Sequence, residues 1–180
     1  MNQDIERILI SKEEIADMVK RIGSAISDDY KDKELIIIGI LKGGFVFMAD
    51  LVREINVGCK IDFMAVSSYG ASTKSTGVVK ITKDFDIDIN DKDVLIVEDI
   101  IDSGLTLTYI KELLNGRGAK SVKIASAFDK PSRRKVELMA DYVGITVPDE
   151  FIVGYGLDFN NKYRNLPDVG ILKPEMYKKK

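Results

Sequence analysis

The 180-residue sequence contains no histidine and only one cysteine, and neither acidic nor basic side chains dominate it. Without histidine there can be no Ser-His-Asp or Cys-His nucleophile system and no imidazole-bound metal. Carboxylates and lysines remain for acid–base work, and any metal should be hard and oxygen-bound, Mg²⁺ first among candidates. One cysteine allows no disulfide framework. Cys59 lies in the alternating apolar run from Cys59 to Val66, so it reads as a packed strand residue rather than a nucleophile, and it points to a reducing compartment. No apolar run approaches the roughly 20 residues of a membrane span, and residues 1–10 carry acids in place of a continuous apolar signal segment. A soluble, cytoplasmic chain with no membrane partner is therefore expected. A net charge of -2, from 27 basic and 29 acidic side chains, provides no field to draw the chain onto nucleic acid. The basic end, Lys178, Lys179 and Lys180, reads as a solvated tail.

The length suits a single domain over 1–180 with a full hydrophobic core. Ser11 followed by Glu14 has capping-box spacing, and Ile15, Met18, Val19, Ile22, Ala25 and Ile26 recur at helical intervals. This predicts a helix from about Lys12 to about Tyr30. Leu35 to Ile40 is a buried-strand run, and Lys42-Gly43-Gly44 turns from it into an amphipathic helix from Phe45 to about Ile55. A strand over Lys60 to Val66 comes next. Ser67 to Gly77, rich in Ser, Thr and Gly and without apolar periodicity, then reads as a long mobile loop of functional character that returns as the strand Val78 to Thr82. A strand from Asp93 to Glu98 follows, then a helix from Leu105 to about Asn115 that stops at Gly116 and Gly118. Ser121 to Phe128 is another buried strand, closed by Asp129-Lys130-Pro131. Short strands at Tyr142 to Ile145, Phe151 to Tyr155 and Val169 to Leu172 then suggest a parallel-sheet α/β core with a small subdomain built from the chain ends.

The most informative stretch is Val94 to Thr106. Val94, Leu95, Ile96 and Val97 suit a strand buried on both faces, and Glu98 and Asp99 follow at its carboxyl end, the edge of an open α/β sheet where ligands bind. Ser103 and Gly104 then open a helix. Its unpaired first N–H groups, with the hydroxyls of Ser103 and Thr106, can wrap a phosphate. Two acids at a strand end, taken alone, are as readily just solvated. With Asp102, Ser103 and Thr106 behind them at helix-start spacing, they ask for a phosphorylated, metal-bound substrate, adjacent carboxylates holding ribose hydroxyls and the water shell of Mg²⁺.

Val94 to Thr106 resembles the 5-phosphoribosyl-1-pyrophosphate binding motif of type I phosphoribosyltransferases: four apolar residues, two acids, two apolar residues, Asp, Ser or Thr, Gly, any residue, Thr. Leu41-Lys42-Gly43-Gly44, Ser68-Tyr69, Asp129-Lys130 and Val153 to Asp158 with Arg164 resemble the hypoxanthine-guanine members of that family. The likeness extends from about Ile36 to Ile171. It implies the type I phosphoribosyltransferase fold, a mainly parallel central sheet flanked by helices with a small hood. The core would span about 34–130 and the hood the N-terminal segment and about 131–180. It implies purine salvage by Mg²⁺-dependent transfer of the phosphoribosyl group to N9 of hypoxanthine or guanine, giving IMP or GMP and pyrophosphate, in a homodimer or homotetramer.

The resemblance also implies roles. Asp102 would take the purine proton at or near N7, and Glu98, Asp99, Asp102, Ser103, Gly104, Leu105 and Thr106 would hold the phosphate and ribose. Lys42, Gly43, Ser68, Tyr69 and Arg164 would hold pyrophosphate; Ile100, Lys130, Phe151, Ile152 and Asp158 the purine; Glu98, Asp99 and Asp158 the Mg²⁺. The Lys42–Gly43 peptide bond is often cis in the family, and the loop that Ser68-Tyr69 opens closes over the site during reaction. Lys130 can only donate, so it would favour the 6-oxopurines hypoxanthine, guanine and xanthine over adenine. On the residues alone, Gly43-Gly44 is an ordinary flexible turn, Phe151 a core residue of an apolar strand, and Lys80 and Lys83 solvated strand lysines.

Two other classes share part of the pattern. A phospho-receiver domain also has an acid pair at a strand end and a later Lys-Pro, here Lys130-Pro131. Its pair ends the first strand, however, and here three strands precede Glu98-Asp99. A regulator that senses the sugar diphosphate and binds nucleic acid would need a basic face or an added module, and only about 30 residues precede the first core strand. No Gly-x-x-x-x-Gly-Lys-[Ser/Thr] sequence supports a P-loop kinase.

Overall fold

A computed structural model of the chain describes residues 2–68 and 79–177. Strand β2 (Leu35–Leu41) is buried from Leu35 to Ile40, and β5 (Asp93–Ile101) from Val94 to Val97, because both faces of the sheet are covered. Side chains alternate along both strands between two separate clusters. Leu35, Ile37, Leu95 and Val97 pack with Ile22 and Ile26 of helix α1 (Lys12–Asp29) and with Phe47 and Leu51 of α2 (Gly44–Glu54). Ile36, Ile38, Val94 and Ile96 pack with Leu107, Ile110 and Leu114 of α3 (Leu105–Gly116). The strand period of two thus sorts one aliphatic run into two cores.

The main sheet has six strands in the order β4 (Val79–Lys83), β3 (Cys59–Ser68), β2, β5, β6 (Ser121–Asp129), β7 (Tyr142–Thr146). All neighbours pair in parallel except β3 and β4. The chain runs outward from the middle, β2 leading through α2 to β3 on one side and β5 through α3 to β6 on the other. Strand order therefore reverses between β2 and β5, with α2 and α3 on opposite faces, and the loops at the carboxyl ends of these two strands part to leave a crevice. Register widens it. Pairing of β5 with β2 ends at Gly39 opposite Val97, whereas pairing with β6 continues to Ile101 opposite Asp129.

A second, antiparallel sheet joins the chain ends in the order β1 (Ile5–Ile10), β9 (Val169–Leu172), β8 (Ile152–Val153). Its own small core contains Val153, Tyr163 and Leu172, with Phe151, Phe159 and Tyr177 against it. It is held to the main body by Tyr155, whose hydroxyl donates to Asp50 Oδ2 of α2 at 2.8 Å, and by Asp168 Oδ1, which accepts from the Lys12 N–H at 2.8 Å.

Several sequence expectations are met: the Ser11–Glu14 capping box is formed in both directions, and α1, α2, α3, β6 and β9 lie within a residue or two of where periodicity puts them. Others need correction. β3 continues through Ser68, so Ser67 and Ser68 belong to the strand, and residues 69–77 of the expected loop lie outside the described residues. Strand β5 runs on through both acids to Ile101, because β6 goes on pairing with it. β7, expected among the small strands, is the sixth strand of the main sheet, pairing in parallel from Ala125 opposite Tyr142. β8 stops after two residues because Gly154, Tyr155 and Gly156 all take positive φ, which turns the chain out of the sheet. Neither β1 nor the one-turn helix α4 (Pro174–Tyr177) was expected.

Candidate active site

The crevice at the reversal point holds two adjoining clefts. The larger, of about 330 Å³, is lined by Lys42, Gly43, Glu98, Asp99, Ile100, Asp102, Ser103, Gly104, Thr106, Asp158 and Arg164 among others. The smaller, of about 260 Å³, shares Asp99, Ile100, Asp102 and Asp158 with it and adds Lys130, Arg133, Glu150, Phe151, Ile152 and Leu157. The fold thus brings together most of the residues singled out from sequence. Leu105 is the exception in the turn: it opens α3 with its side chain exposed and lines neither cleft. Ser68 is the last residue of β3, opposite Val79, and Tyr69 lies outside the described residues.

Each wall has a local cause. Gly104 caps α3 in the left-handed conformation at φ 83°, and a Cβ there would come within 2.9 Å of Val136 Cγ2, so both backbone and space require glycine. The turn is held from behind: the Lys135 N–H donates to the Ser103 carbonyl at 2.9 Å, and Arg134 Nη1 to the Asp102 carbonyl at 2.9 Å. Arg134 also pairs with the Asp129 carboxylate, tying the end of β6 to the same turn. Ser103 Oγ accepts from the Leu105 N–H at 3.4 Å. The Asp102 side chain is left reaching into both clefts, half-exposed, with Arg133 Nη1 at 3.9 Å.

Gly43 is required by close approach, since a Cβ on it would collide with Asp99 Oδ2. The cis peptide bond at this turn is Leu41–Lys42, one residue before the Lys42–Gly43 bond that the resemblance pointed to. Gly43 takes αR geometry at φ -62°, ψ -44° as the cap of α2, so the change of direction falls before it. Gly156 of the hood presses on this turn: a Cβ there would meet the Gly43 carbonyl oxygen. Arg164 Nη1 donates to the Gly156 carbonyl at 2.7 Å, and its Nη2 lies 2.6 Å from Asp158 Oδ1.

The electrostatics are uneven. Burial first, and the adjacent Asp99 carboxylate second, push Glu98 well above the usual carboxylate range. The two acids also engage nearby main chain, Glu98 Oε1 accepting from the Asp99 N–H at 3.1 Å and Asp99 Oδ1 from the Ile100 N–H at 2.8 Å. Among the described residues no three acids stand close enough to cage a metal ion. Asp158, expected to hold a second Mg²⁺ on the pyrophosphate, gives one oxygen to Arg164 and the other to the Asn161 N–H at 2.8 Å. The donor set still fits Mg²⁺, which keeps several waters and takes one or two carboxylates with substrate phosphates. Lys130 is buried and its Nζ donates to the Glu150 carbonyl at 2.8 Å. Desolvation, then the nearby Arg133 guanidinium, lower its pKa.

Arg133 and Glu150 line the smaller cleft and were not found from sequence, and Leu157, which also lines it, lay within the Val153 to Asp158 stretch without an assigned role. For Arg133 a signal existed, a second cation three residues after Lys130 in a Pro-started turn (Pro131–Arg133). Arg133 Nε lies 2.5 Å from Asp149 Oδ1, which holds the guanidinium over the cleft.

The family model for the phosphoribosyl transferase domain matches residues 6–160. A hypoxanthine-guanine phosphoribosyltransferase from Bacillus subtilis is 54% identical over 177 residues, covering 98% of this chain and 98% of that protein. One from Staphylococcus epidermidis is 51% identical over 179 residues, covering 99% and 100%. The crystal structure of a hypoxanthine phosphoribosyltransferase from Staphylococcus aureus superposes with a TM-score of 0.96 at 49% identity, covering 99% of this chain and 97% of that one.

Proposed function

Because the chain belongs to the phosphoribosyl transferase domain family, we propose that it is a purine-salvage enzyme. It transfers the 5-phosphoribosyl group of 5-phosphoribosyl-1-pyrophosphate to N9 of hypoxanthine or guanine, giving IMP or GMP and pyrophosphate. The observation that carries this reading is the joining of two clefts at the carboxyl edge of the sheet. One has an anion cradle at a helix start and the other a buried lysine donor, with Asp102 between them. In this reading 1–180 is one domain, the core holding the activated sugar and the hood supplying Phe151, Ile152, Asp158 and Arg164.

The 5-phosphate sits on the turn from Asp102 to Thr106, where main-chain N–H groups and the hydroxyls of Ser103 and Thr106 converge. Glu98 and Asp99 hold the ribose side, and Lys42, Gly43 and Arg164 receive pyrophosphate, the forked guanidinium binding two oxygens at once. The purine lies in the smaller cleft, its flat face on Phe151, its edge along Ile100 and Ile152, its 6-oxygen on Lys130. As the bond from the anomeric carbon to pyrophosphate breaks and the bond to N9 forms, the purine loses a proton, which Asp102 accepts. The transition state has oxocarbenium character, so rate comes from holding both partners close and neutralising the departing oxygens. Mg²⁺, when bound by Glu98 and Asp99 through its water shell, supplies charge neutralisation for the diphosphate.

Assembly as a homodimer or homotetramer belongs to the same reading. A mostly apolar groove of about 620 Å³, lined by Phe45, Val46, Tyr155 and Leu166 among others and meeting the larger cleft at Arg164, is surface that a second copy would cover, and Phe45 is 46% exposed there. Among the described residues no helix is long and apolar enough to cross a membrane. The single half-buried thiol, Cys59, suits the reducing cytoplasm.

Incubation of the protein with Mg²⁺, 5-phosphoribosyl-1-pyrophosphate and each purine in turn tests this directly. Hypoxanthine and guanine should yield their monophosphates, xanthine at a rate set by its shared 6-oxygen, and adenine none. Absence of monophosphate from both hypoxanthine and guanine would remove the reading.

A further inference from the structure

The C-terminal tyrosine stands directly behind the ring read above as the purine's stacking partner. Tyr177 stacks on Phe151 with ring centroids 4.7 Å apart and planes 21° apart, while Phe159 meets the same ring edge-on at 5.4 Å and 89°. Phe151 is also fixed through its main chain, its carbonyl accepting from the Leu172 N–H at 2.8 Å. The turn that carries Tyr177 is fixed in its own right. Lys173 N–H donates to the Asp4 carbonyl at 3.0 Å and Met176 N–H to the Lys173 carbonyl at 3.0 Å, so the two chain ends meet behind the base cleft.

With one face covered by Tyr177 and with Phe159 nearly perpendicular beside it, Phe151 lines the smaller cleft next to Lys130 and Ile152. From the geometry we infer that Tyr177 is a positioning residue for the purine: its ring sets the height and tilt at which Phe151 meets the base. This rests on the reading that Phe151 stacks on the purine. The purine then completes a three-layer stack of base, Phe151 and Tyr177, in which each contact is an aromatic pair of ordinary strength. Lacking its backing ring, a phenylalanine at a strand end can rotate about χ1 and χ2 and lose its fixed face. The larger cleft contains neither ring, so binding of the activated sugar should not depend on Tyr177.

Steady-state kinetics with the two substrates varied separately test this. Y177A and Y177L should each raise KM for hypoxanthine about three- to tenfold while KM for 5-phosphoribosyl-1-pyrophosphate stays within about twofold. Y177F, which keeps the ring, should restore the purine KM, although Y177L keeps most of the apolar bulk and should not. The chain has no tryptophan, so Y177W supplies a single fluorescent reporter in the stack, and GMP should quench it. F151L separates the two levels of the argument. If F151L weakens purine binding and Y177A does not, Tyr177 has no positioning role and the stacking reading stands; if F151L has no effect, both fall. A Y177A variant that raises both KM values equally, or a Y177W emission indifferent to GMP, also overturns the proposal.

Discussion

Asp102 is the residue on which chemistry and position meet. Its carbonyl is anchored by Arg134, and its carboxylate is left reaching into both clefts. A group held by its main chain, with a half-exposed side chain approached by the Arg133 guanidinium, suits a base that must reach a bound purine. Asp102→Asn keeps the size and removes the proton acceptor, so kcat should fall by about 100-fold or more while the sugar diphosphate still binds; unchanged turnover in a steady-state assay would take the role away from Asp102. At this scale the sequence was most readable where a motif fixes spacing, as from Glu98 to Thr106. Gly43 and Gly104 were visible as glycines, but the reasons for them, Asp99 pressing on one and Val136 on the other, exist only once distant segments meet. Arg133 was missed because its exposed, charged side chain reads as solvated until Asp149 holds it over the cleft. The bond that is cis could not be read, since glycine content alone does not choose between Leu41–Lys42 and its neighbour.

Elements follow from periodicity where burial is one-sided or complete. Helix α1 presents Ile15, Met18, Val19, Ile22 and Ile26 to the sheet, and its start is set by Ser11, whose Oγ accepts from the Glu14 N–H at 3.3 Å while Glu14 Oε2 accepts from the Ser11 N–H at 2.8 Å. Ser11→Ala should cost about 1 kcal/mol, read as a fall in Tm of about 2–4 °C. A melting temperature equal to that of the parent would mean that packing alone fixes this helix end. β1 escaped notice for the opposite reason: its outward residues Glu6, Arg7 and Ile8 break any apolar pattern, and it is a strand because main-chain pairing with β9 makes it one. β7 was assigned to the wrong sheet because a five-residue strand carries no sign of its neighbour. The parallel partner, β6, is a matter of topology.

At the scale of the whole molecule the two edges of the sheet do different work. The carboxyl edge is open and carries the clefts. At the opposite edge the exposed Glu34 joins Lys60, at 2.6 Å, to Lys92, at 2.8 Å, drawing together the approaches to β2, β3 and β5. Hydrogen bonds from these two lysines hold its pKa down to about 2. A carboxyl group with a lowered folded-state pKa leaves the unfolded chain binding more protons between about 2 and 4.5, so its stabilisation is present above that window and lost as pH falls through it. The difference in Tm between the parent and Glu34→Gln should therefore be largest near neutral pH and shrink below about pH 4.5; a difference that grew on acidification would contradict this. The α/β class and the place of the ligand edge were legible from strand and helix alternation. The reversal of strand order between β2 and β5, which makes that edge a crevice, was not, because it depends on which side each crossover takes.

In the proposed reading this crevice grips an activated sugar phosphate through the turn from Asp102 to Thr106, with Glu98 and Asp99 supporting a magnesium-bound diphosphate. Isothermal titration of the protein with 5-phosphoribosyl-1-pyrophosphate, with Mg²⁺ and again after its removal by chelation, reads that grip. Saturable binding that weakens by about tenfold or more without Mg²⁺ is the predicted result. No binding in either condition, or the same affinity in both, would contradict it.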